Sequence, residues 1–432
     1  MKTTSVHAMV GLLMLGSASL SQGAQTTRAS VDSGGGEAMG QSIDPSLSAN
    51  GQVVTFHSSA FNLVPGDTNA VGDIFVRNLL TEQTTRVSVD SSGGEANAAC
   101  ITPALSGNGK VVAFASYADN LVTGDTNGAQ DIFVRNLETG QTRRVSVRSN
   151  GMQANADSFN PVLSKNGQVV AFYSIATNLV PGDTNFAQDV FVHYLRTGKT
   201  KRVSVDSSGV QTPFGNGDSS NPSLSADGKI VAFESSATTL VPGDSNGVSC
   251  DVFVRNLQTG QTTLASIDSG GLQTIFSSYN ATLSADGTVV AFTSVDLGEP
   301  VQDGGFAEIY VRNLQTGQTT LVSVASSGAR EDADTYYSTL SGNGNIVAFE
   351  SNATNLVPGD TNGNSDVFVR NLLTGKTKRV SVDSNGVQAN GGGGLVPGVS
   401  LSNTGKVVAF QSFADNLVVN DMNAASDIFI RK

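Results

Sequence analysis

A repeat of seven similar units constrains the fold of this chain more than any other feature of its sequence. Each unit contains a VVAF-like tetrapeptide, and consecutive tetrapeptides lie 57 to 61 residues apart. Their last residues are Phe56, Phe114, Phe172, Phe233, Phe292, Phe349 and Phe410. Units of this length fill residues 24–432 and leave no stretch for a second domain. One array of seven units is therefore predicted.

Each unit contains four short segments that alternate apolar and polar residues or run apolar, as β-strands do. In the second unit these segments are Thr102–Ser106, Lys110–Ser116, Asp131–Asn136 and Thr142–Val147, which we name strands A, B, C and D. Glycine-containing turns separate A from B and C from D, as tight hairpins require. Since no helical period appears in the repeat, an all-β protein of four-stranded antiparallel units is predicted.

The two ends of the chain distinguish a closed ring from an open solenoid. The last unit stops after its strand C, whereas Thr26–Ser33 matches the strand D segment Thr84–Ser91 at seven of eight positions. The first segment can therefore complete the last unit and cover its unpaired strand. An open solenoid has no use for this arrangement. We predict a seven-bladed β-propeller of four-stranded antiparallel blades, closed by the N-terminal strand.

The repeat also resembles a known family. The patterns LSxDGxxVAFxS and DxFVRNLxTGxT are similar to the TolB-like, WD-like propeller repeats of secreted bacterial proteins, and the similarity covers nearly all of residues 24–432. The resemblance implies the propeller fold. It does not imply one function, because this repeat occurs in proteins with many roles.

Between strands B and C lies a loop of about 14 residues, longer than the usual hairpin loop of about 2–5. In six units this loop carries the pattern D-x-N…D, formed by Asp67, Asn69 and Asp73; Asp125, Asn127 and Asp131; Asp183, Asn185 and Asp189; Asp244, Asn246 and Asp251; Asp360, Asn362 and Asp366; and Asp421, Asn423 and Asp427. Oxygen ligands in a glycine-rich loop are what Ca²⁺ requires, but these three fall short of its six to eight ligands. Up to six weak calcium sites are predicted; alternatively, the side chains cap turns through hydrogen bonds to backbone amides.

Antiparallel strands place the B–C and D–A connections on one face of the ring and the tight turns on the other. The units differ most in the D–A connections, where a scaffold places its specific contacts. Phe276, Tyr336 and Tyr337 lie in these connections and are predicted to contact a protein or cell-envelope partner. Alternatively, these rings cover the channel mouth or a seam between blades.

Residues 1–23 have the features of a cleaved secretory signal: an apolar run, Ala8–Leu20, and small residues before Ala24. The run is shorter than the roughly 20 residues that span a bilayer, so no membrane insertion is expected. A periplasmic or extracellular protein is predicted, with residues 24–432 as its single propeller domain. In such a compartment Cys100 and Cys250 are either a disulfide pair or two separate thiols.

The net charge and the motifs of the sequence limit the classes of function that the protein can have. The chain has 37 acidic and 25 basic residues and a net charge of −12, so no basic surface for nucleic acid is expected. The sequence has no GxSxG nucleophile motif and no Cys/His metal spacing, so a non-catalytic scaffold is predicted. The alternative is a propeller-based hydrolase or lyase acting on polysaccharide or peptide, with Glu331, Asp332 and Asp334 as candidate carboxylates.

Overall fold

The structure is a computed structural model that describes residues 24–295, 297, 305–393 and 398–432. The predicted secretory signal, residues 1–23, lies outside the described residues. Among the residues that the structure describes, no helix has the length and hydrophobicity needed to cross a membrane.

The described residues form seven four-stranded antiparallel sheets, one for each blade. The chain begins with β1 (Thr26–Arg28). Blade 1 contains β2 (Ser42–Leu47), β3 (Val53–Ser58), β4 (Asp73–Asn78) and β5 (Gln83–Arg86); blade 2 contains β6 (Cys100–Leu105), β7 (Val111–Ser116), β8 (Asp131–Asn136) and β9 (Thr142–Arg144); blade 3 contains β10 (Ser158–Leu163), β11 (Val169–Ser174), β12 (Asp189–Tyr194) and β13 (Lys199–Arg202). Blade 4 contains β14 (Ser219–Leu224), β15 (Ile230–Ser235), β16 (Asp251–Asn256) and β17 (Thr262–Leu264); blade 5 contains β18 (Tyr279–Leu283), β19 (Val289–Val295), β20 (Ala307–Asn313) and β21 (Thr319–Leu321). Blade 6 contains β22 (Thr335–Leu340), β23 (Ile346–Ser351), β24 (Asp366–Asn371) and β25 (Lys376–Arg379); blade 7 contains β26 (Val399–Leu401), β27 (Val408–Ser412) and β28 (Asp427–Arg431).

The N-terminal strand completes the ring, as predicted. β1 pairs with β28 as the fourth strand of blade 7, with Thr26 opposite Arg431 and Arg28 opposite Phe429. The A strands of neighbouring blades contact one another all around the molecule, so strand A is innermost and strand D outermost. The all-β, seven-bladed propeller with four-stranded antiparallel blades is therefore confirmed.

The outer strands are shorter than the sequence predicts. In blade 2, strand D ends at Arg144 instead of Val147. The reason is local: the backbone N of Ile132 donates to the Ser146 hydroxyl at 3.0 Å, so this side chain takes the place of a backbone carbonyl in the ladder. Beyond it, Val147 forms only an isolated bridge with Gln153.

The hydrophobic core lies between blades. The phenylalanine that marks each repeat is fully buried on strand B and packs on an aromatic ring of strand C, with ring centroids 5.7 to 6.1 Å apart. Each of seven core clusters combines residues of two consecutive blades, as where Ile428 and Ile430 of blade 7 pack with Phe56 and Phe75 of blade 1. Each blade therefore depends on its neighbours for burial.

Arginines at the end of strand C link consecutive blades. Arg135 Nη1 donates to the backbone carbonyl of Asp90 at 2.9 Å and to the Thr142 hydroxyl at 2.8 Å. The equivalent residues Arg77, Arg255, Arg312, Arg370 and Arg431 make the same contact with the preceding blade. This ring of arginines therefore supports the scaffold.

The two cysteines are separate thiols. Cys100 is buried beside Ser116, with 3.4 Å between Sγ and Oγ, and Cys250 is half-buried. Burial raises the pKa of both thiols to about 12, so both stay protonated at neutral pH.

Candidate functional site

The innermost strands line a central channel, and in six blades this strand contains a β-bulge. In blade 1, two residues of β2, Asp44 and Pro45, face a single residue of β3, Phe56. The same shift of register occurs in β6, β10, β14, β18 and β22. A bulge changes the direction of the side chain it carries.

The first residue of each bulge has a positive φ although none is glycine. These residues are Asp44 (55°), Thr102 (50°), Asn160 (44°), Asn221 (46°), Asn280 (57°) and Tyr337 (46°). Asn and Asp tolerate this left-handed conformation, whereas it is strained for a β-branched or bulky residue such as Thr102 or Tyr337. Strain of this kind concentrates at functional sites, so the six bulge residues indicate a candidate functional surface.

The bulge residues line a cavity of about 610 Å³ to which the innermost strands of all seven blades contribute. Hydrogen bonds connect the wall of three blades: Asn160 Nδ2 donates to Asn221 Oδ1 at 3.0 Å, and Asn221 Nδ2 donates to Glu234 Oε2 at 2.9 Å. The backbone N of Asn280 donates to Glu234 Oε1 at 2.7 Å. We call this cavity, with the six bulge residues and Glu234, the channel cup.

The channel cup is closed at one end. Within the described residues, seven backbone hydrogen bonds join the A–B turns of neighbouring blades into a ring: Ala49 N to Gly107 O, Asn108 N to Lys165 O, Asn166 N to Ala226 O, Ala226 N to Ala285 O, Ala285 N to Gly342 O, Gly342 N to Asn403 O, and Asn403 N to Ala49 O. Lys165 Nζ reaches from blade 3 to Asn403 Oδ1 of blade 7, at 2.7 Å. Since these blades lie nearly opposite each other, this side chain crosses the channel end. The cup therefore opens towards the B–C and D–A connections.

Two carboxylates, Asp44 and Glu234, line the cup. Burial raises the pKa of Asp44 to about 6 and also raises the pKa of Glu234. On the neighbouring β23, burial raises the pKa of Glu350 to about 8, while a hydrogen bond from the backbone N of Gly398 to Oε1 opposes this shift. The residues that line the cavity include no lysine or arginine. The cup can therefore accept hydrogen bonds from a ligand and compensate a positive charge.

Two of the three predicted contact residues lie in the innermost strand of blade 6, and one of them, Tyr337, lines the channel cup. The structure places Tyr336 and Tyr337 inside β22, not in the D–A connection that the sequence predicts, and their ring centroids lie 6.2 Å apart. Tyr337 is the bulge residue of blade 6 and lines the cavity. Phe276 lies in the loop before β18 and is 37% exposed.

The B–C loops bring the predicted aspartates together at the start of strand C. In blade 1, Asn69 Nδ2 donates to Asp73 Oδ2 at 3.1 Å, and its Oδ1 accepts a hydrogen bond from the backbone N of Val71 at 3.3 Å. Burial is the main cause that raises the pKa of Asp67 and Asp73, and Arg86 opposes it. The loops thus form hydrogen-bonded turns around two carboxylates.

An arginine of strand D lies between the two carboxylates in five of these loops. Arg86 Nη1 is 3.1 Å from Asp67 Oδ1 and 3.4 Å from Asp73 Oδ2. The same ion pairs, at 2.8 to 3.4 Å, join Arg144 to Asp125 and Asp131, Arg202 to Asp183 and Asp189, Arg379 to Asp360 and Asp366, and Arg28 to Asp421 and Asp427. Our sequence analysis missed this partner, although the arginine recurs at the end of the TxR segment.

One group of carboxylates in the described part of the chain can hold a metal ion. Carboxylate oxygens of Glu37, Asp421 and Asp427 all lie within 4.8 Å of one another. Arg28 Nη1 is 2.6 Å from Glu37 Oε1 and also contacts both aspartates. Burial and repulsion from Asp427 raise the pKa of Asp421 to about 7.

The B–C loop of blade 4 keeps both aspartates but lacks the arginine. Leu264 occupies its place in the strand register. Gln273 Nε2 lies 3.2 Å from both Asp244 Oδ1 and Asp251 Oδ2. Asn246 Oδ1 is buried and has no hydrogen-bond partner in the part of the chain that the structure describes. This loop therefore contains two carboxylates that no described ion pair neutralises.

Comparison with known proteins supports the fold alone. The chain matches no protein-family model and no curated protein. Among solved structures, an oligogalacturonate lyase in complex with manganese is 12% identical, with a TM-score of 0.57 over 95% of this chain and 94% of that chain. The β-propeller domain of the Trilobed protease from Pyrococcus furiosus is 11% identical, with a TM-score of 0.56 over 91% and 93%.

TolB from Acinetobacter baumannii is also similar, at 16% identity and a TM-score of 0.41. The similarity covers 71% of this chain and 58% of that chain. The chain thus has the fold of the β-propellers of that lyase and that protease, at low identity. Likeness at this level does not assign a function.

Proposed function

We propose that the protein is a non-catalytic binding propeller that holds a protein or cell-envelope component at the open end of the channel cup. The observation that carries this proposal is the set of six bulge residues, which share a left-handed conformation at the channel wall and depart from asparagine at Asp44, Thr102 and Tyr337. A repeat that only supports itself gains nothing from the strained Thr102 and Tyr337 at positions where asparagine fits. Departures of this kind from local rules are typical of functional sites.

The chemistry of the cup favours a partner group that donates hydrogen bonds or carries positive charge. Asp44 and Glu234 face the cavity, the lining includes no basic side chain, and the whole chain has a net charge of −12. The same charges repel a polyanion. A substrate like that of the oligogalacturonate lyase therefore does not suit this cup.

We place the protein in the periplasm or outside the cell. Residues 1–23 support this location, because they combine an apolar run with small residues before Ala24. The acidic pI of about 4.7 is compatible with a soluble protein that avoids anionic surfaces.

For calcium, we propose the carboxylate group of blade 7. It combines three carboxylates, whereas the predicted loop ligands supply two, and Ca²⁺ prefers six to eight oxygens. In each of the five loops with an arginine between the aspartates, blade 7 included, the arginine competes with an ion; in blade 7 the ion has to displace Arg28, and Glu37 supplies a third carboxylate for it. Calcium at the remaining loops stays a prediction from the sequence.

The binding proposal is tested with substitutions taken from the repeat itself. Tyr337→Asn gives blade 6 the residue that blades 3, 4 and 5 carry at the bulge, and Tyr336→Ser copies Ser220, so the fold should tolerate both changes. The double variant and wild type are immobilised and used to capture partners from envelope extract. We expect the variant to lose a wild-type partner without a change in Tm. Leu373→Ser, on a C–D turn, is the matched control and should retain it. Equal capture by the double variant and wild type would exclude the tyrosines as contacts.

One observation favours the alternative, a hydrolase or lyase. Glu331 is buried, its Oε1 accepts a hydrogen bond from the Ser323 hydroxyl at 2.9 Å, and its Oε2 has no hydrogen-bond partner among the described residues. Burial and then the nearby Glu308 raise the pKa of Glu331 to about 8, as in a general acid. Turnover of polysaccharides or peptides that disappears in Glu331→Gln would support an enzyme. For a binding propeller, we expect no turnover by either protein.

A further inference from the structure

We propose that blade 4 contains a pocket for the guanidinium group of an arginine side chain supplied by a partner protein. We call it the blade-4 pocket and define it by Asp244, Asp251, Leu264, Leu272 and Gln273. This inference does not depend on the channel cup, because the pocket lies at the outer strand of the blade and the cup at the inner one.

The ligand chemistry follows from the other blades of the same molecule. In five of them an arginine nitrogen lies 2.8 to 3.4 Å from both aspartates of the loop. Leu264 pairs with Phe253 just as Arg86 pairs with Phe75, so the missing side chain leaves this position without its cation. Both aspartates are retained, in a loop one residue longer than in the other five blades. In those five blades the equivalent pair contacts a guanidinium group.

A cavity lies where the arginine is missing. Its volume is about 370 Å³, and its lining includes Val241, Pro242, Leu264, Leu272 and Gln273. This size falls within the range of about 300–1,000 Å³ typical of small-molecule sites. The apolar walls complement the carbon chain of an arginine, and Gln273 in the lining hydrogen-bonds both Asp244 and Asp251, which lie behind it and complement the charged head.

The polar groups behind the cavity have hydrogen bonds but no cation: Asp251 accepts from the Ser266 hydroxyl at 2.6 Å and from Gln273 Nε2 at 3.2 Å. Asp251 is fully buried and forms no ion pair within the described residues, and burial raises its pKa to about 6. Asn246 Oδ1 is buried without a hydrogen-bond partner among the described residues, whereas Asn69 Oδ1 of blade 1 accepts a backbone hydrogen bond. A buried carboxylate without a cation is costly, so a guanidinium donor from outside is favoured.

Gln273 Nε2 lies 3.2 Å from both aspartates, so a guanidinium group has to displace it from Asp251. In blade 6 the equivalent Gln388 donates from Nε2 to Asp360 Oδ1 at 3.1 Å, while Arg379 contacts both Asp360 and Asp366. An amide and a guanidinium therefore fit around one aspartate pair. A guanidinium also suits the site better than Ca²⁺, because two carboxylates and one amide provide too few oxygen ligands for that ion.

Calorimetric titration of the purified protein with N-acetyl-L-arginine amide tests the pocket. The lysine and citrulline analogues and calcium chloride are titrated in parallel. We expect the arginine amide to bind at one saturable site at least tenfold more tightly than the uncharged citrulline analogue. Leu264→Arg should abolish this binding and raise the Tm, because it restores the arrangement of the other blades. Leu264→Met, of similar size and without charge, should retain the binding.

Several outcomes would overturn the proposal: no arginine binding, equal binding of arginine and citrulline, binding of Ca²⁺ instead of arginine, or arginine binding that persists in Leu264→Arg. If Leu264→Arg fails to fold, arginine binding is measured with Asp244→Asn instead. This variant removes one carboxylate on the exposed side of the loop, and its failure to weaken arginine binding would equally reject the pocket.

Discussion

At the scale of single residues, the arginines of strand D determine how an acidic loop is stabilised. Arg144 places Nη1 2.8 Å from Asp125 Oδ1 and 3.2 Å from Asp131 Oδ2, and Asp131 is fully buried. A buried carboxylate is tolerated when a cation and hydrogen bonds satisfy it. The arginine therefore neutralises the loop without any ion from solution.

Replacing Arg144 with leucine, the residue that blade 4 carries there, should destabilise the protein by about 3 kcal/mol, because Asp131 then stays buried without its cation. Urea unfolding measures the difference. The adjacent Arg143 is exposed, so Arg143→Leu is the control and should change stability by about 0.5 kcal/mol or less. Equal effects of the two substitutions would contradict the assigned role.

The buried Glu350 should make stability depend on pH. Its pKa rises from 4.5 to about 8 on folding, so between these values the unfolded chain ionises while the folded protein keeps the proton. The stability that the protonated Glu350 allows is therefore fully present below about pH 4.5 and is lost as the pH rises to about 8. Glu350→Gln, which copies Gln411 of blade 7, should become more stable than wild type over this window. Unfolding at about pH 5, 6.5, 8 and 9 measures this difference; a constant difference would reject the shift.

At the scale of elements, β1 determines whether the ring closes. It pairs with β28 through backbone hydrogen bonds. Its last residue, Arg28, forms ion pairs with the carboxylate group of blade 7. The innermost strands have a different task, because their bulges turn a regular repeat into a wall of unlike side chains. The outer strand β1 therefore stabilises the ring, whereas the innermost strands vary in the side chains that they present to the channel.

Deleting Gln25–Ser33 should lower the Tm by roughly 10 °C or more, because blade 7 then loses a strand and a buried ion pair. Thermal unfolding by circular dichroism measures the change. Replacing the segment with residues 83–91 of blade 1, which nearly match it, should restore most of the loss. An unchanged Tm after deletion would contradict closure by β1.

Calcium binding at the carboxylate group of blade 7 is tested by thermal unfolding with and without metal ions. Wild type should show a Ca²⁺-specific rise in Tm relative to EDTA, with no equal rise in Mg²⁺, because Glu37, Asp421 and Asp427 provide the oxygen ligands. At 100 times its Kd, a ligand stabilises by about 2.7 kcal/mol. Glu37→Gln should remove the rise. The same Tm in EDTA and Ca²⁺ would identify all these loops as hydrogen-bonded turns.

At the scale of the whole molecule, each blade contacts the blades on both sides, so the contacts between blades form a closed ring. Every core cluster joins two blades, and the A–B turns form a closed circle of backbone hydrogen bonds within the described residues. Gln25 and Lys432 are hydrogen-bonded to each other at 3.2 and 3.0 Å, so the ends of the described chain meet within blade 7. The ring is therefore expected to unfold as one cooperative unit.

A circular permutant tests this closure. Lys432 is joined to Gln25 through a copy of residues 372–375, the C–D turn of blade 6, and new ends are opened between Thr139 and Gly140. This variant should keep a Tm within about 5 °C of wild type, because blade 2 is then completed from both ends just as blade 7 was. Opening the D–A connection after Gly151 instead leaves no blade shared between the two ends and should lower the Tm further. A lower Tm for the variant opened between Thr139 and Gly140 than for the variant opened after Gly151 would contradict the role of the shared blade.

The sequence alone determined the architecture, since repeat length, strand alternation and the match of Thr26–Ser33 to Thr84–Ser91 are properties of neighbouring residues along the chain. It also identified the aspartates of the B–C loops. Only the tertiary structure placed Arg86 between Asp67 and Asp73, moved Tyr337 from a predicted loop onto the channel wall, and left Leu264 opposite an unneutralised pair. These facts depend on which strand lies beside which loop and on backbone dihedral angles at a bulge. Contacts between residues distant along the chain determine both, and periodicity carries no information about them.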